Sequence, residues 1–411
     1  MVSKPWIQLV AGIVCMAMIA NLQYGWTLFV DPIDAKYHWG RSAIQLAFTI
    51  FVIAETWLVP IKSWFVDRHS PRLVAMSGGV FVGLAWIINA YADSLTLLYT
   101  GAIVGGAGAA AVYGTCIGNA LKWFPKNRGL ATGFTAAGFG IGAALTVVPI
   151  AHMIKDSGYE SAFLYFGIGQ AVVIFIVASI MRKPPPAANT GAAAAKKARD
   201  HAPLETLRTP VFWVMYVMFV MVAAGGLTAA AQIAPIAHDF MIADVPVNLL
   251  GLAFPALTFA ISLNRIFDGI GRPVFGLISD KIGREVTMAI GFVTQAISLA
   301  LLSFAGSDPV VFVLVTTLFF FVFGNIYSLF PATCGDTFGT KFATTNAGLL
   351  YTAKGTASFL VPIASAMAAT AQGWHTVFMI SMTFSLIAAA LALFVLRPMR
   401  AKLIAERERT A

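Results

Sequence analysis

Charge is scarce in this sequence: 11% of its 411 residues are Asp, Glu, Lys or Arg, against 59% hydrophobic, and mean hydropathy is +0.81. A soluble globular domain carries about a quarter charged residues, so a water-facing fold is excluded. Cysteine is nearly missing. Cys15, Cys116 and Cys334 are scattered over apolar segments, a spacing that builds neither a disulfide framework nor a metal cluster, so they read as small packing residues. A nucleotide loop is missing too, because Gly105-Gly-Ala-Gly108 has no strand before it and no Lys-Ser/Thr after it. His69, His201 and His375 fall in loops or at the ends of apolar runs, and no Ser/His/Asp arrangement has a useful spacing. Enzyme chemistry, a metal and a cofactor are therefore not expected. The longest polar gap, residues 182–208, is 27 residues long, which leaves no room for an inserted soluble sensor domain.

What the sequence has is long apolar runs. A bilayer core takes about 20 apolar residues per helix, and twelve runs qualify, at roughly 7–29, 42–66, 73–92, 95–122, 129–153, 159–181, 210–236, 248–279, 286–305, 309–334, 343–371 and 374–397. The expected fold class is an all-α membrane protein of twelve transmembrane helices. The first run follows Lys4 and has the look of a signal peptide, but no clear cleavage site follows it and eleven further runs do, so it reads as the first helix.

The net charge of +9 points superficially to nucleic acid, but its distribution does not. With both termini on one side, 21 of the 27 Lys and Arg fall on that side, three (Lys36, Arg41, Lys155) on the other, and three (Arg265, Arg272, Lys354) within runs. This is the asymmetry that marks cytoplasmic loops. Both termini are expected in the cytoplasm, with the basic residues holding orientation and touching anionic lipid.

The segment 182–208, beginning Arg-Lys-Pro-Pro-Pro and continuing Ala-rich and basic, reads as a cytoplasmic linker between a six-helix bundle at 1–181 and another at 209–411. The halves look related. Asp67 heads a charged turn with Arg68 and Arg72, and 213 residues later Asp280 heads another with Lys281 and Arg284. The same offset takes Arg128 to Lys341. Two repeats of this kind place a site between them near the membrane midplane. Asp67, Arg68, Arg72, Arg128, Asp280, Lys281 and Arg284 are the candidate cytoplasmic gating residues.

Charge buried at membrane depth marks the candidate site. In the stretch Asn264 to Arg284, Arg265, Asp268 and Arg272 fall at i, i+3 and i+7, within roughly 60° of one another on one helix face. Arg272 lies about 12 Å and Lys354 about 16 Å from the inner ends of their helices, too deep for a lysine to reach the surface comfortably. Glu55 lies about 18 Å deep. It reads either as a neutral carboxyl bonded to a neighbouring helix or as a proton site or counter-ion to a buried base. Gln23 and Tyr24 precede an expected turn at Asp31-Pro32 and read as cavity-lining. Trp26 beside them reads equally as part of an interfacial belt. Phe323 and Tyr327 share a face at i, i+4, as core or as pocket wall. Gly129, Gly133, Gly138, Gly140 and Gly142 favour close helix approach, with Phe139 as a bulky exception.

At these residues the chain resembles the major facilitator superfamily, in its oxalate/formate antiporter branch and with a relation to monocarboxylate transporters. The resemblance rests on Gln23-Tyr-Gly-Trp26, Val112-Tyr113-Gly, Trp123-Phe-Pro through Arg128-Gly-Leu-Ala, Gly133 to Gly138, Arg272-Pro, Ser279 to Arg284, Tyr327 to Pro331 and Ala353-Lys354. It implies a bacterial inner-membrane carrier, a monomer working by alternating access. Arg272 and Lys354 would each hold one carboxylate of a dianion. Tyr24, Tyr113, Phe139, Phe323, Tyr327 and Tyr351 would enclose it. The chemistry agrees, since arginine binds a carboxylate with a planar fork and lysine acts as a point charge. Two such cations facing an empty cavity would repel each other, and a dianion would relieve both.

The chain also departs from that branch. Glu55, Arg265 and Asp268 add charge, and Phe139 stands where the family often offers Tyr. With every group ionised the buried set carries +1, where a dianion would match +2. A proton on Asp268 or Glu55 restores the match. Asp268 four residues before Arg272 also resembles proton-linked monocarboxylate carriers. The expected function is exchange of oxalate, or a similar small dicarboxylate, for formate. The alternative is proton-coupled symport of a lactate- or pyruvate-like monocarboxylate.

Overall fold

The structure is a computed structural model that describes residues 4–184, 200–249, 251–368 and 373–409. Most of the expected linker, including Lys196, Lys197 and Arg199, lies outside the described residues. The first half consists of α1 (Pro5–Ile19), α2 (Asn21–Tyr24), α3 (Thr27–Tyr37), α4 (Arg41–Arg68), α5 (Pro71–Ala90), α6 (Leu95–Trp123), α7 (Arg128–Ser157) and α8 (Tyr159–Ala178). After the short α9 (Pro203–Leu207), the second half runs α10 (Pro210–Asp239), β1 (Pro246–Leu249), β2 (Leu252–Pro255), α11 (Ala256–Ile282), α12 (Arg284–Ala305) and α13 (Pro309–Phe323). It continues with α14 (Ile326–Phe338), α15 (Ala343–Ser358), α16 (Leu360–Ala368), α17 (Gly373–Ala390), a π-helical stretch at Leu391–Leu396, and α18 (Arg397–Arg409).

Helix starts follow local chemistry. Proline opens α1, α5, α10 and α13, where its missing N–H costs nothing. The Asp308 carboxylate accepts from the N–H groups of Val310 and Val311, both at 2.9 Å, and so caps α13.

Ten helical stretches of the described residues are long and apolar enough to cross a bilayer. α11, interrupted by Arg265, Asp268 and Arg272, and α15, which carries Lys354 and continues past Phe359 as α16, are not among them. With these two the twelve crossings of an all-α membrane fold are complete. Two sequence expectations need correction. The eighth run does not begin as a helix at 248. Pro246 to Pro255 instead forms an antiparallel hairpin pairing Val247 with Phe254, and Gly251 at φ +81 supplies its turn. Nor does the chain turn at Asp31-Pro32, since Pro32 lies inside α3. The helix breaks earlier, at Gly25-Trp26, and reverses later, at His38 (φ 55) and Gly40 (φ 85), where the Asp34 carboxylate accepts from the Gly40 N–H at 2.7 Å.

Within the first half, α6 packs on α4 and α5, α8 on α5, and α1 on α7; within the second, α11 packs on α13, α12 on α17, and α10 on α15. The halves meet where α7 lies against α11 and α4 against α15. The first seam is glycine-dependent. A Cβ on Gly276 would stand 2.1 Å from the Gly129 carbonyl oxygen, and one on Gly133 would stand 2.4 Å from that of Arg272. Backbone therefore touches backbone along the inner half of this seam, as small residues permit between membrane helices.

Contact across the halves belongs to the end carrying Asp67 and Asp280. From Arg128 to Ala143, α7 is mostly buried, and α15 is buried almost throughout; further along, Leu145, Val148, Phe359 and Ile363 are exposed. At that far end α3, α16 and the hairpin pack chiefly on elements of their own halves. The packing between the halves is thus closest toward the basic end.

Candidate functional site

α11 and α15 each carry one buried cation to the seam. Arg272 is 3% exposed. It donates from Nη2 to Asp268 Oδ2 at 2.6 Å, and from Nη1 to the Ala136 carbonyl of α7 at 2.7 Å. The first bond follows from helix geometry, because residues four apart lie one above the other. The second crosses to the other half. The Arg272 Nε–H is buried and has no acceptor, so the guanidinium retains an unused donor.

Lys354 is also 3% exposed. Its ammonium donates to Glu55 Oε2 at 3.1 Å, to Gln23 Oε1 at 3.2 Å and to the Tyr351 hydroxyl at 2.9 Å. The Tyr351 hydroxyl in turn donates to Glu55 Oε1 at 3.3 Å. Glu55 on α4 is fully buried, and Gln23 belongs to α2. Lys354 therefore also reaches across the seam, to side chains rather than backbone.

Aromatic rings join the two cations. The Tyr327 ring lies 4.7 Å from the Arg272 guanidinium carbon and 6.0 Å from Lys354 Nζ, within the range of cation–π attraction. Tyr113 stacks on Tyr351 at 4.1 Å and meets the edge of Phe139 at 6.2 Å. Tyr24 meets Phe139 at 5.8 Å, and Phe323 meets Tyr327 at 5.7 Å. All six aromatic residues singled out in the sequence thus belong to one connected wall around the cations. Arg265, two turns outward on α11, stands over the Tyr24 ring at 4.5 Å and leaves Asp268 to Arg272. Trp26 is buried in the core instead of standing at an interface. Two cations facing an empty cavity was the wrong picture. Each is already neutralised, Arg272 from its own helix and Lys354 from the opposite half.

The basic end closes through two related clusters. Asp67 accepts from Lys122 at 2.5 Å, and from the Thr345 N–H and hydroxyl at 2.9 and 2.5 Å. Asp280 accepts from the Gly129 and Leu130 N–H groups at 3.1 and 2.9 Å, and from Arg284 at 2.6 Å. Each carboxylate thereby caps the first turn of a helix in the other half, where unpaired N–H groups and the helix dipole favour negative charge. Asp336 ties in Arg128 at 2.5 Å and Arg284 at 2.8 Å.

Of the expected gating residues, Arg68, Arg72 and Lys281 do not enter these clusters. All three are exposed, and Arg68 lies on the Trp64 ring instead. Lys341 is exposed too and does not repeat the part of Arg128. Lys122, Thr345 and Asp336 were missed. Asp336 stands five residues before Lys341, and nothing in the sequence marks its two arginine partners. The cysteines Cys15, Cys116 and Cys334 are buried and free.

Comparison with known proteins accounts for this architecture. The sequence profile described as Major Facilitator Superfamily matches residues 9–262 and 227–411. The oxalate:formate antiporter of Oxalobacter formigenes is 37% identical over 392 residues, which cover 95% of this chain and 91% of that protein. Monocarboxylate transporter 11 of Mus musculus is 29% identical over 137 residues, 33% of this chain and 31% of that protein. Among solved structures, the proton:xylose symporter XylE superposes with a TM-score of 0.73 at 12% identity, covering 96% of both chains. Twelve crossings around a central seam, and a profile spanning nearly the whole sequence, agree on one assignment: this multi-pass membrane protein belongs to the major facilitator superfamily.

Proposed function

We propose that the protein is a secondary carrier of small organic anions in a bacterial inner membrane, exchanging oxalate or a similar small dicarboxylate for formate. The observation that carries this reading is the pair of buried cations, Arg272 and Lys354, set on separate helices of one half and aimed at the other within a shared aromatic wall. Monovalent cargo engages one such cation; a short dicarboxylate can engage both, in competition with Asp268 and Glu55. The extensive similarity to a protein named for oxalate:formate exchange supports the same cargo.

In this reading residues 1–181 and 209–411 are the rocking bodies, 182–208 tethers them in the cytoplasm, and both termini lie on that side. The carrier acts as a monomer, without enzymatic chemistry or cofactor. Substrate enters from the end opposite Asp67 and Asp280. One carboxylate takes up the unused Nε–H donor of Arg272, a charge-assisted contact with the geometry of the guanidinium fork. The other reaches Lys354. Closure over the anion then competes with the caps formed by Asp67 and Asp280, whose release opens the cytoplasmic end.

The 2.6 Å Asp268–Arg272 pair favours a second reading, proton-linked monocarboxylate symport, since a protonated Asp268 would free the arginine for a single carboxylate. Uptake of labelled oxalate into proteoliposomes separates the two. Uptake that requires internal formate and ignores a proton gradient supports exchange; uptake of lactate driven by the gradient, with oxalate ignored, sinks it.

A further inference from the structure

Glu55 has no evident place in a site built for a dianion. It is fully buried, and it holds Lys354 from the opposite half at 3.1 Å. Its backbone is pressed against α6, where a Cβ on Gly106 would stand 2.8 Å from the Glu55 nitrogen. α4 is thereby fixed on α6, so while the halves stay together the carboxylate leaves Lys354 by side-chain rotation. Tyr351 donates to Glu55 Oε1 while accepting from Lys354, and so bridges the two. The other polar group at the ammonium is the neutral amide of Gln23.

An exchanger of oxalate for formate must accept two carboxylates on one leg of its cycle and one on the other. With formate on Arg272, Lys354 would be left as a buried cation without a counter-charge, which is strongly unfavourable. We propose that Glu55 is a resident second carboxylate. It stays on Lys354 when the cargo has one carboxylate and yields the lysine when the cargo brings two. Lys354 then has one carboxylate partner in both loaded forms, the displaced Glu55 keeping the Tyr351 hydroxyl as its donor, and Glu55 sets the relative affinity for mono- and dicarboxylates. This inference rests on the anion-exchange reading and deepens it. Glu55 is a positioning and specificity residue, acting through Lys354.

The test is Glu55→Gln, which keeps the shape and hydrogen bonding but removes the charge. Formate and oxalate self-exchange are measured separately in proteoliposomes. The KM for formate should rise relative to that for oxalate by about tenfold or more, the scale of one charged contact. Equal shifts in both KM values, or a fall in kcat alone, would show a plain interhelical tether and overturn the proposal. Glu55→Asp, which retains the charge on a shorter arm, should shift the ratio less; if Glu55→Gln fails to insert, Glu55→Asp and Lys354→Gln are compared in its place, and an unchanged ratio in both counts against the idea. Failure of the exchange reading is seen separately, as absence of oxalate transport by the unaltered protein. In that event thermal-shift binding of formate, acetate, oxalate and malonate to the unaltered and Glu55→Gln proteins decides the inference. A split between one and two carboxylates sustains it, and no split ends it.

Discussion

The arginine and lysine sides of the site solve one problem in two ways. Arg272 takes its acid from the same helix, four residues back, and its cross-seam contact is a backbone carbonyl, that of Ala136. Lys354 takes its acid from the other half and contacts it entirely through side chains. An intrahelical pair travels with its helix and survives any rigid motion of the halves. A cross-seam pair is made or broken by that motion. The arginine side is thus built as a fixed anchor, and the lysine side as the part that registers both cargo and conformation.

The sharpest way to break this contrast is to change the anchor without changing its charge. Arg272→Lys retains the cation but loses the fork, the Ala136 contact and the unused Nε donor. Exchange should fall about a hundredfold in kcat/KM, the scale of two lost charged hydrogen bonds, while detergent-solubilised protein retains its thermal unfolding profile. Near-normal exchange would mean that charge alone suffices. A smaller effect is expected from Asp268→Asn. It leaves the guanidinium in place with a neutral neighbour, so transport at fixed pH should drop about tenfold, and any dependence on a proton gradient should disappear. If the gradient dependence persists, the proton resides elsewhere, and Glu55 becomes the group to test.

The smallest effect concerns the basic end. Asp67→Asn and Asp280→Asn each remove a charged helix cap, so each should move the balance toward the form open at the basic end by about threefold. Accessibility of a cysteine introduced at Thr344 to a thiol reagent added on that side would report the shift, after Cys15, Cys116 and Cys334 are replaced by serine. A large effect in one variant and none in the other would show that the two caps are unequal despite their matching geometry.

Much of this was readable from the sequence, and the limits have physical causes. Twelve apolar runs and their flanking basic residues reflect bilayer thickness and loop charge, which act locally along the chain. The Asp268–Arg272 pair was readable for the same reason, since helix periodicity alone brings residues four apart together. Glu55 was visible as a buried acid in need of a base. Its partner was not identifiable, because Lys354 lies 299 residues away and meets it only through the packing of α4 on α15. Asp336 stayed hidden likewise, since its arginines come from two other helices. Hydrophobicity misled at the hairpin, where residues 246–255 are apolar enough for a helix but two prolines and Gly251 turn them into strands.

The caps at the basic end bear on how this protein would respond to systematic mutagenesis. On the α7 side, Asp280 binds the main-chain N–H groups of Gly129 and Leu130, which every amino acid except proline provides. Scanning substitutions would thus find an intolerant aspartate whose cross-half donors have no complementary side chain, and swapping it with its own-helix partner Arg284 would not restore them. Covariation between Asp280 and Leu130 would be equally silent. The clearest genetic signature of this half of the lock would be a proline at Leu130, which deletes the donor itself; at Gly129 any side chain would already collide with Gly276 and Arg284.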